Sequence, residues 1–190
     1  MSIIRQIIIL FGRLIYGREY IRGKYFNKNS IGARWILQCW FWQKIMRYNS
    51  DANWPVSHRV QVSNAKNIIF DPDDMQIFHT FGSYFQAFSA KIIIGKGTWI
   101  APNVGLITAN HDFEDLTRHA EGKDIIIGEK CWIGMNSVIL PGVVLGPNTI
   151  VGAGSIVTKS FPEGNCVIAG NPAKLIKLIR KSGDDNDYKE

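Results

Sequence analysis

Long apolar runs, cysteine and, in the first quarter of the chain, acidic residues are what this 190-residue sequence has little of. No stretch holds eighteen or so consecutive apolar residues, so no membrane-spanning helix is expected. The apolar segment Ile7–Phe11 is short, and Arg13, Arg18 and Arg22 follow it without a small-residue cleavage site, so no removable signal peptide is expected. Three cysteines, Cys39, Cys131 and Cys166, show no metal-ligand spacing and cannot all pair within one chain. A buried free thiol at Cys131 and a reducing, cytoplasmic location are therefore expected. Asp71, Asp73 and Asp74 lack the glycine and the terminal glutamate of a calcium loop at the needed offsets, and read as a solvated turn.

The shortage of acid is local. Residues 1–48 hold nine Lys or Arg against the single acid Glu19, which makes +8. The remainder holds thirteen basic and fifteen acidic residues, or −2, and the two together give the net +6. The sequence pI near 9.3 thus describes the N-terminal segment alone. Nucleic acid is not expected as a partner, because no nucleic-acid motif accompanies the charge. Residues 2–26 read as a helix or two, and residues 33–47 as a second helical stretch rich in tryptophan. Two readings stay open for residues 1–48: packing on the side of the solenoid or on a neighbouring subunit, or peripheral contact with an anionic membrane at its inner, cytoplasmic face.

What the sequence does have is a period of six. Aliphatic residues recur at Ile127, Ile133, Ile139, Leu145, Val151 and Val157, and glycine follows four of them at Gly128, Gly134, Gly146 and Gly152. Four places after each of the first five aliphatics stand the small residues Cys131, Ser137, Val143, Thr149 and Ser155. The same phase appears at Ile94, Ile100 and Leu106. A six-residue period fits neither helix nor simple strand, but it fits a solenoid of short strands and corners with one aliphatic side chain per face turned inward. From Leu106 to Ile127 the phase gains three residues, which places an inserted loop at 112–124. Long loops in compact domains are usually functional or disordered. Three regions are expected: a basic, aromatic helical segment 1–50, a β-solenoid 51–170, and a short C-terminal helix with tail at 171–190. For that helix Asn171 would be the cap, Pro172 the first residue, and Lys177, Arg180 and Lys181 the basic end, with 182–190 disordered.

The ordered motifs TANHD, CWIGMNSVILPGV, VGAGSIVTK and AGNPAK, over residues 85–180, resemble the hexapeptide-repeat acyltransferases. The likeness is to the subgroup of sugar and serine O-acetyltransferases and to polysaccharide O-acetyltransferases. The resemblance implies an all-β, left-handed parallel β-helix that works as a homotrimer with acetyl-CoA as donor and no metal. It implies His111 as general base for a carbohydrate hydroxyl, which then attacks the thioester carbonyl of acetyl-CoA directly, without an acyl-enzyme. The residue type suits the task, since imidazole titrates near pH 6.5 and can take a proton from an alcohol. His119, on the same loop, is the rival base, and Asp112, Glu114 or Asp115 would orient the imidazole. Gln86 would meet the acceptor or the oxyanion.

By motif position Trp132, Gly134, Met135 and Ala153 would line the pantetheine. Thr158, Lys159, Lys174 and Lys177 would meet the phosphates of the nucleotide end, where family members often carry arginine at the last two positions. The acceptor expected is a bacterial cell-surface polysaccharide or its lipid-linked precursor. N-acetylation of an amino sugar, acetylation of a small antibiotic, a γ-type zinc carbonic anhydrase and a non-catalytic glycan-binding β-helix are the alternatives.

Overall fold

Each hexad becomes a two- or three-residue strand followed by a corner. A computed structural model describes residues 3–27 and 30–179. The first coil holds β1 (Gln61–Val62) and β2 (Ile68–Ile69), and the 3-10 stretch Pro72–Phe78 closes it. The second holds β3 (Tyr84–Gln86), β4 (Ile92–Ile94) and β5 (Trp99–Ile100). The third holds β6 (Gly105–Ile107), β7 (Ile125–Ile127) and β8 (Trp132–Ile133). The fourth holds β9 (Val138–Ile139), β10 (Val144–Leu145) and β11 (Thr149–Val151). After these come β12 (Ile156–Val157), β13 (Cys166–Gly170) and β14 (Ala173–Leu178). Three sheets result, in the orders β1-β3-β6-β9-β12, β10-β7-β4-β2 and β14-β13-β11-β8-β5. They are called faces A, B and C below. Every pairing is parallel except β13 with β14.

The register stacks the aliphatic phase into inward rows. On face A, Val62, Phe85, Leu106, Ile139 and Val157 lie one above another, and on face C, Ile100, Ile133, Val151 and Ile168 do. All of them are buried. The glycine after the aliphatic has a definite task. A Cβ on Gly128 would stand 2.6 Å from Pro147 N, and one on Gly134 would stand 2.6 Å from Ala153 N. The crowding comes from the next coil's backbone. Left-handed backbone falls instead two residues later, at Gly97, Asn103, Lys130, Asn136, Gly142, Asn148 and Gly154. Glycine and asparagine adopt that conformation at least cost, which accounts for all but Lys130.

The small residues are more than space savers. Thr98 and Thr149 donate their hydroxyls to the carbonyls of Gly128 (2.8 Å) and Gly146 (2.7 Å), and Ser137 donates to Gly152 (3.0 Å). The Cys131 thiol points at the Gly146 carbonyl, 3.3 Å away, and burial pushes its pKa up. All three cysteines are free and buried.

At the N-terminus α1 (Ile3–Ile15) and α2 (Lys24–Asn27) precede α3 (Ile31–Trp40), which runs into a π-helical turn at Phe41–Ile45. Gly12 lets α1 lie directly against Ile36 of α3. The buried Gln43 ties these helices to the solenoid. Its Oε1 accepts from Tyr16 OH (3.0 Å) and Val56 N (3.0 Å), while its Nε2 donates to the carbonyls of Trp54 and Asn49. Asn49 in turn pairs with Val60 O and Val62 N, both at 2.8 Å. A chain of rings, Tyr20, Phe70, Trp54, Phe78 and Phe85, fills the first coil.

Two expectations are corrected. Residues 173–178 are strand β14, not a helix; Gly170 (φ 107°) reverses the chain, and β14 pairs antiparallel with β13. Without it β13 would leave a row of unpaired backbone groups at the edge of face C, and pairing them outweighs a short helix's propensity. The residues expected at the helix's basic end, Arg180 and Lys181, and the tail 182–190 lie outside the described residues. Asp74 is buried rather than solvated: its carboxylate accepts the Gly97 amide at 2.6 Å and faces Lys24 Nζ at 3.9 Å. Asp71 stays at the surface beside Lys96 (3.1 Å).

Glycine packing at the corners makes a direct test. Gly146→Ala would drive a Cβ into the Pro162 carbonyl and to 2.5 Å from Gly164 N, and is expected to cost about 1–3 kcal/mol. Gly105→Ala, whose Cβ would meet nothing nearer than 3.6 Å, should change stability by less than about 1 kcal/mol. Thermal unfolding of the two variants side by side measures the difference.

Candidate active site

The inserted loop leaves the A/B corner after β6 and returns at β7. It folds on itself through main-chain bonds that bring its two limbs together. Asp112 N donates to Arg118 O (3.0 Å), Ala120 N to Asn110 O (2.9 Å), and Lys123 N to Thr108 O (2.8 Å). His111 and His119 face each other as an antiparallel bridge, with ring centroids 4.6 Å apart. The structure thus joins the expected base and its rival in one stacked pair.

The His111 Nδ1 lies 2.8 Å from the Leu116 carbonyl oxygen. A carbonyl can only accept, so this bond places the proton on Nδ1 and leaves Nε2 with a free lone pair. That is the tautomer a general base needs. Neither aspartate expected to orient the ring does so. Asp112 Oδ1 accepts the amides of Glu114 (2.8 Å) and Asp115 (3.4 Å), and Asp115 Oδ1 accepts Thr117 N and Oγ1. Both carboxylates build the loop's turns, and the Thr117 hydrogen bonds hold the Asp115 carboxyl below the usual range. The orienting group is a main-chain carbonyl, which no side-chain pattern announces.

Gln86 is likewise not presented to solvent. Its Oε1 accepts Ala109 N and its Nε2 donates to Ala109 O, each at 3.0 Å, and both residues are buried. Thr108 adds a hydroxyl bond to Gln86 O at 2.9 Å. Gln86 thus clamps the strand end two residues before His111. Beside the loop a cleft of about 740 Å³ is lined by Phe88, Ser89, His119, Ala120, Glu121 and Gly122. Phe88 meets the His119 ring edge to face at 5.0 Å. A second hollow of about 290 Å³ runs along the same corner between Asn110, Lys123, Leu140 and Thr158.

The residues expected to hold the donor divide between two edges of face A. Thr158 and Lys159 follow β12 at the A/B corner, which is the corner of the His111 loop. Trp132 lies on the outside of face C, between Trp99 and Ile150 in the register, and is 55% exposed. Gly134, Met135 and Ala153 form the C/A corner, where Gly154 N donates to Met135 O at 2.8 Å. Lys174 and Lys177 are three apart in β14, yet they pair with Ala169 and Val167, two apart in β13. A bulge between them therefore puts both lysines on the outer side of face C. One chain places His111, His119, Thr158 and Lys159 along the A/B corner, and Trp132, Met135, Lys174 and Lys177 lie away from it.

Residues 124–159 match the family model described as bacterial transferase hexapeptide (six repeats). Over these residues the chain carries the hexapeptide repeat of that family, and the proteins it resembles are acetyltransferases. It is 44% identical over 110 residues to a galactoside O-acetyltransferase of Escherichia coli K12, covering 53% of this chain and 54% of that one. Among solved structures it resembles a galactoside acetyltransferase in complex with coenzyme A, at TM-score 0.56 and 25% identity over 100% of this chain and 89% of the other. It also resembles a hexapeptide-repeat acetyltransferase of Vibrio cholerae O1 biovar eltor complexed with acetyl coenzyme A. There the TM-score is 0.54 and identity 27%, with 64% and 66% of the two chains covered. The chain spans about half the length of the curated relatives it matches. The hexapeptide-repeat acetyltransferases among its structural neighbours imply a left-handed β-helix for these mostly parallel sheets.

Gln86→Leu tests the clamp. It leaves Ala109 N–H and C=O buried without partners and is expected to lower stability by about 1–3 kcal/mol. Amide exchange along 108–111 should rise well above that of β9, whereas equal protection in the variant would show that Gln86 does not hold the loop.

Proposed function

We propose that the protein is an acetyl-CoA-dependent O-acetyltransferase acting on a carbohydrate hydroxyl of a bacterial cell-surface polysaccharide or its lipid-linked precursor. The observation that carries this reading is the tautomer of His111: Nδ1–H is held by Leu116 O, on an exposed ring stacked against His119, which lines the cleft. In the proposed step Nε2 takes the proton of the acceptor hydroxyl. The oxygen attacks the thioester carbonyl, the C–S bond breaks, and the thiol leaves with the proton that His111 returns. The oxygen-rich acceptor suits a cleft that offers Ser89 and Glu121 for hydroxyls and the half-exposed Phe88 for a sugar's apolar face. Arginine is not needed at Lys174 and Lys177 for charge matching, although a lysine gives up the bidentate grip on phosphate.

The reading includes a homotrimer. Donor contacts on the C/A side of one chain and His111 on the A/B side meet only if neighbouring prisms pair these edges. Closed cyclic symmetry would then repeat the site at each interface. The reading also includes peripheral residence at the inner face of the cytoplasmic membrane through residues 1–48, close to a lipid-linked acceptor.

Mass spectrometry of candidate glycans incubated with protein and acetyl-CoA should detect an acetylated product. His111→Ala is expected to lower kcat by roughly 10²-fold or more while coenzyme A affinity stays near that of the parent. Near-parental turnover at saturating substrate would remove His111 from the mechanism. Replacing Lys159 and Lys174 by Ala together should raise KM for acetyl-CoA more than it lowers kcat, because phosphate contacts act alike in ground and transition states. An unchanged KM at low salt would take both lysines out of the donor site.

A further inference from the structure

Helix α1 is packed on one side only. Ile9 and Gly12 are buried, whereas Ile3, Ile4, Ile7, Leu10 and Leu14 are between 61% and 75% exposed. At 3.6 residues per turn, Ile3, Ile7, Leu10 and Leu14 fall on one line along the helix and form an apolar ridge. The Phe11 ring meets Trp40 edge to face at 6.0 Å and joins α1 to α3. There Leu37, Phe41 and Ile45 are exposed too, on the stripe that begins with exposed Arg34. Contiguous exposed apolar surface of this kind marks an interaction site.

We propose that this ridge enters the interface of an anionic bilayer, with α1 lying in the plane of the membrane. The proposal deepens the membrane contact named above by assigning the face that meets lipid, and it does not depend on acetyl transfer. The thirteen described residues of α1 reach roughly 20 Å against a hydrocarbon core of about 30 Å, so the helix as described suits the interface rather than a span. Among the described residues no helix is long and apolar enough to cross a membrane.

Charge selects the occupant. Residues 1–48 carry +8. Arg13 donates to the carbonyl of Ile21, a neutral acceptor that leaves the cationic charge in place. Arg18, Arg34 and Arg47 are exposed. A second copy placed ridge to ridge would set two net-cationic segments against each other, whereas anionic lipid supplies apolar depth and counter-charge together. Each Lys or Arg held near such a surface raises affinity severalfold. Ring side chains at the margin, Trp40, Trp42 and Tyr48, have the amphipathic character favoured at headgroup depth.

The test is cosedimentation of the full chain with phosphatidylcholine vesicles, with and without phosphatidylglycerol, at low and high salt. Binding is expected only with phosphatidylglycerol present and weaker in high salt. Ile7→Glu combined with Leu10→Glu should lower affinity roughly tenfold or more, and Arg34→Gln combined with Arg47→Gln should weaken binding and flatten its salt dependence. Because Ile7 and Leu10 are exposed, the first pair should melt with the parent. A lower melting temperature would mean the ridge is packed and would overturn the proposal. So would parental affinity in the Ile7/Leu10 pair, indifference of the full chain to anionic vesicles, or equal binding to neutral ones. A change of lipid-free oligomeric state in that pair would give the ridge to a second copy. Transfer to a water-soluble acceptor should be the same in pair and parent; its absence from both would overturn the acetyltransferase reading and leave lipid binding standing.

Discussion

The separation of successive coils governs this molecule. Parallel strands stack about 4.8 Å apart, and at a corner the backbone of one coil must approach the backbone of the next at that spacing. Gly95, Gly128 and Gly146 stand where a Cβ would collide with main-chain atoms of the following coil. The approach strands carbonyl oxygens in the interior, and Thr98, Cys131, Ser137 and Thr149 turn their hydroxyl or thiol hydrogens to them. A buried carbonyl without a donor would cost about 1–3 kcal/mol, so these small polar residues satisfy the corner as well as fit inside it. With the corners closed, the inward aliphatic rows follow from register, and so does every outward position that could form a surface site.

A solenoid built this way tolerates an insertion at a corner, because each coil contacts only its neighbours. The His111 loop uses that freedom and then removes most of it. Paired limbs, the turns made by Asp112 and Asp115, and the Gln86 clamp hold the imidazole on a short segment anchored to face A. The carboxylates nearest in sequence shape the loop, and the group that selects the tautomer is the Leu116 carbonyl. The proton position therefore depends on loop conformation rather than on a charged partner.

The six-residue phase was readable because it is local: aliphatic, glycine and small residue recur within one hexad, and so did the position of the loop. The missed features depend on distant partners. Asp74 can be buried because the Gly97 amide, 23 residues on, donates a hydrogen bond to its carboxylate. Strand β14 forms because β13 has an open edge, which the Asn-Pro and lysine pattern of residues 171–181 does not reveal. The left-handed positions could have been found, since Asn or Gly stands three places after Ile94, Ile100, Ile133, Ile139, Leu145 and Val151. The division of the residues expected at the donor between two edges could have been found as well, since three hexads make a coil and every third hexad lies on the same face.

The placement of the helices bears on how such a site would reach its acceptor. They bind the first coil through Gln43 and the ring chain ending at Phe85, so they sit at the N-terminal end of the prism. The loop with His111 follows β6, two places from β1 in the order of face A. At about 4.8 Å per strand, His111 leaves the prism roughly 10 Å along the axis from that end. If the helical end rests on a bilayer, the cleft beside Phe88 and Glu121 stands within headgroup reach, while the later coils project away from it. A soluble sugar would gain nothing from that arrangement. Under the membrane proposal, a glycan carried on a lipid would be presented to the loop by the same surface that would hold the helix, and the stack of coils would set the height at which the hydroxyl is met.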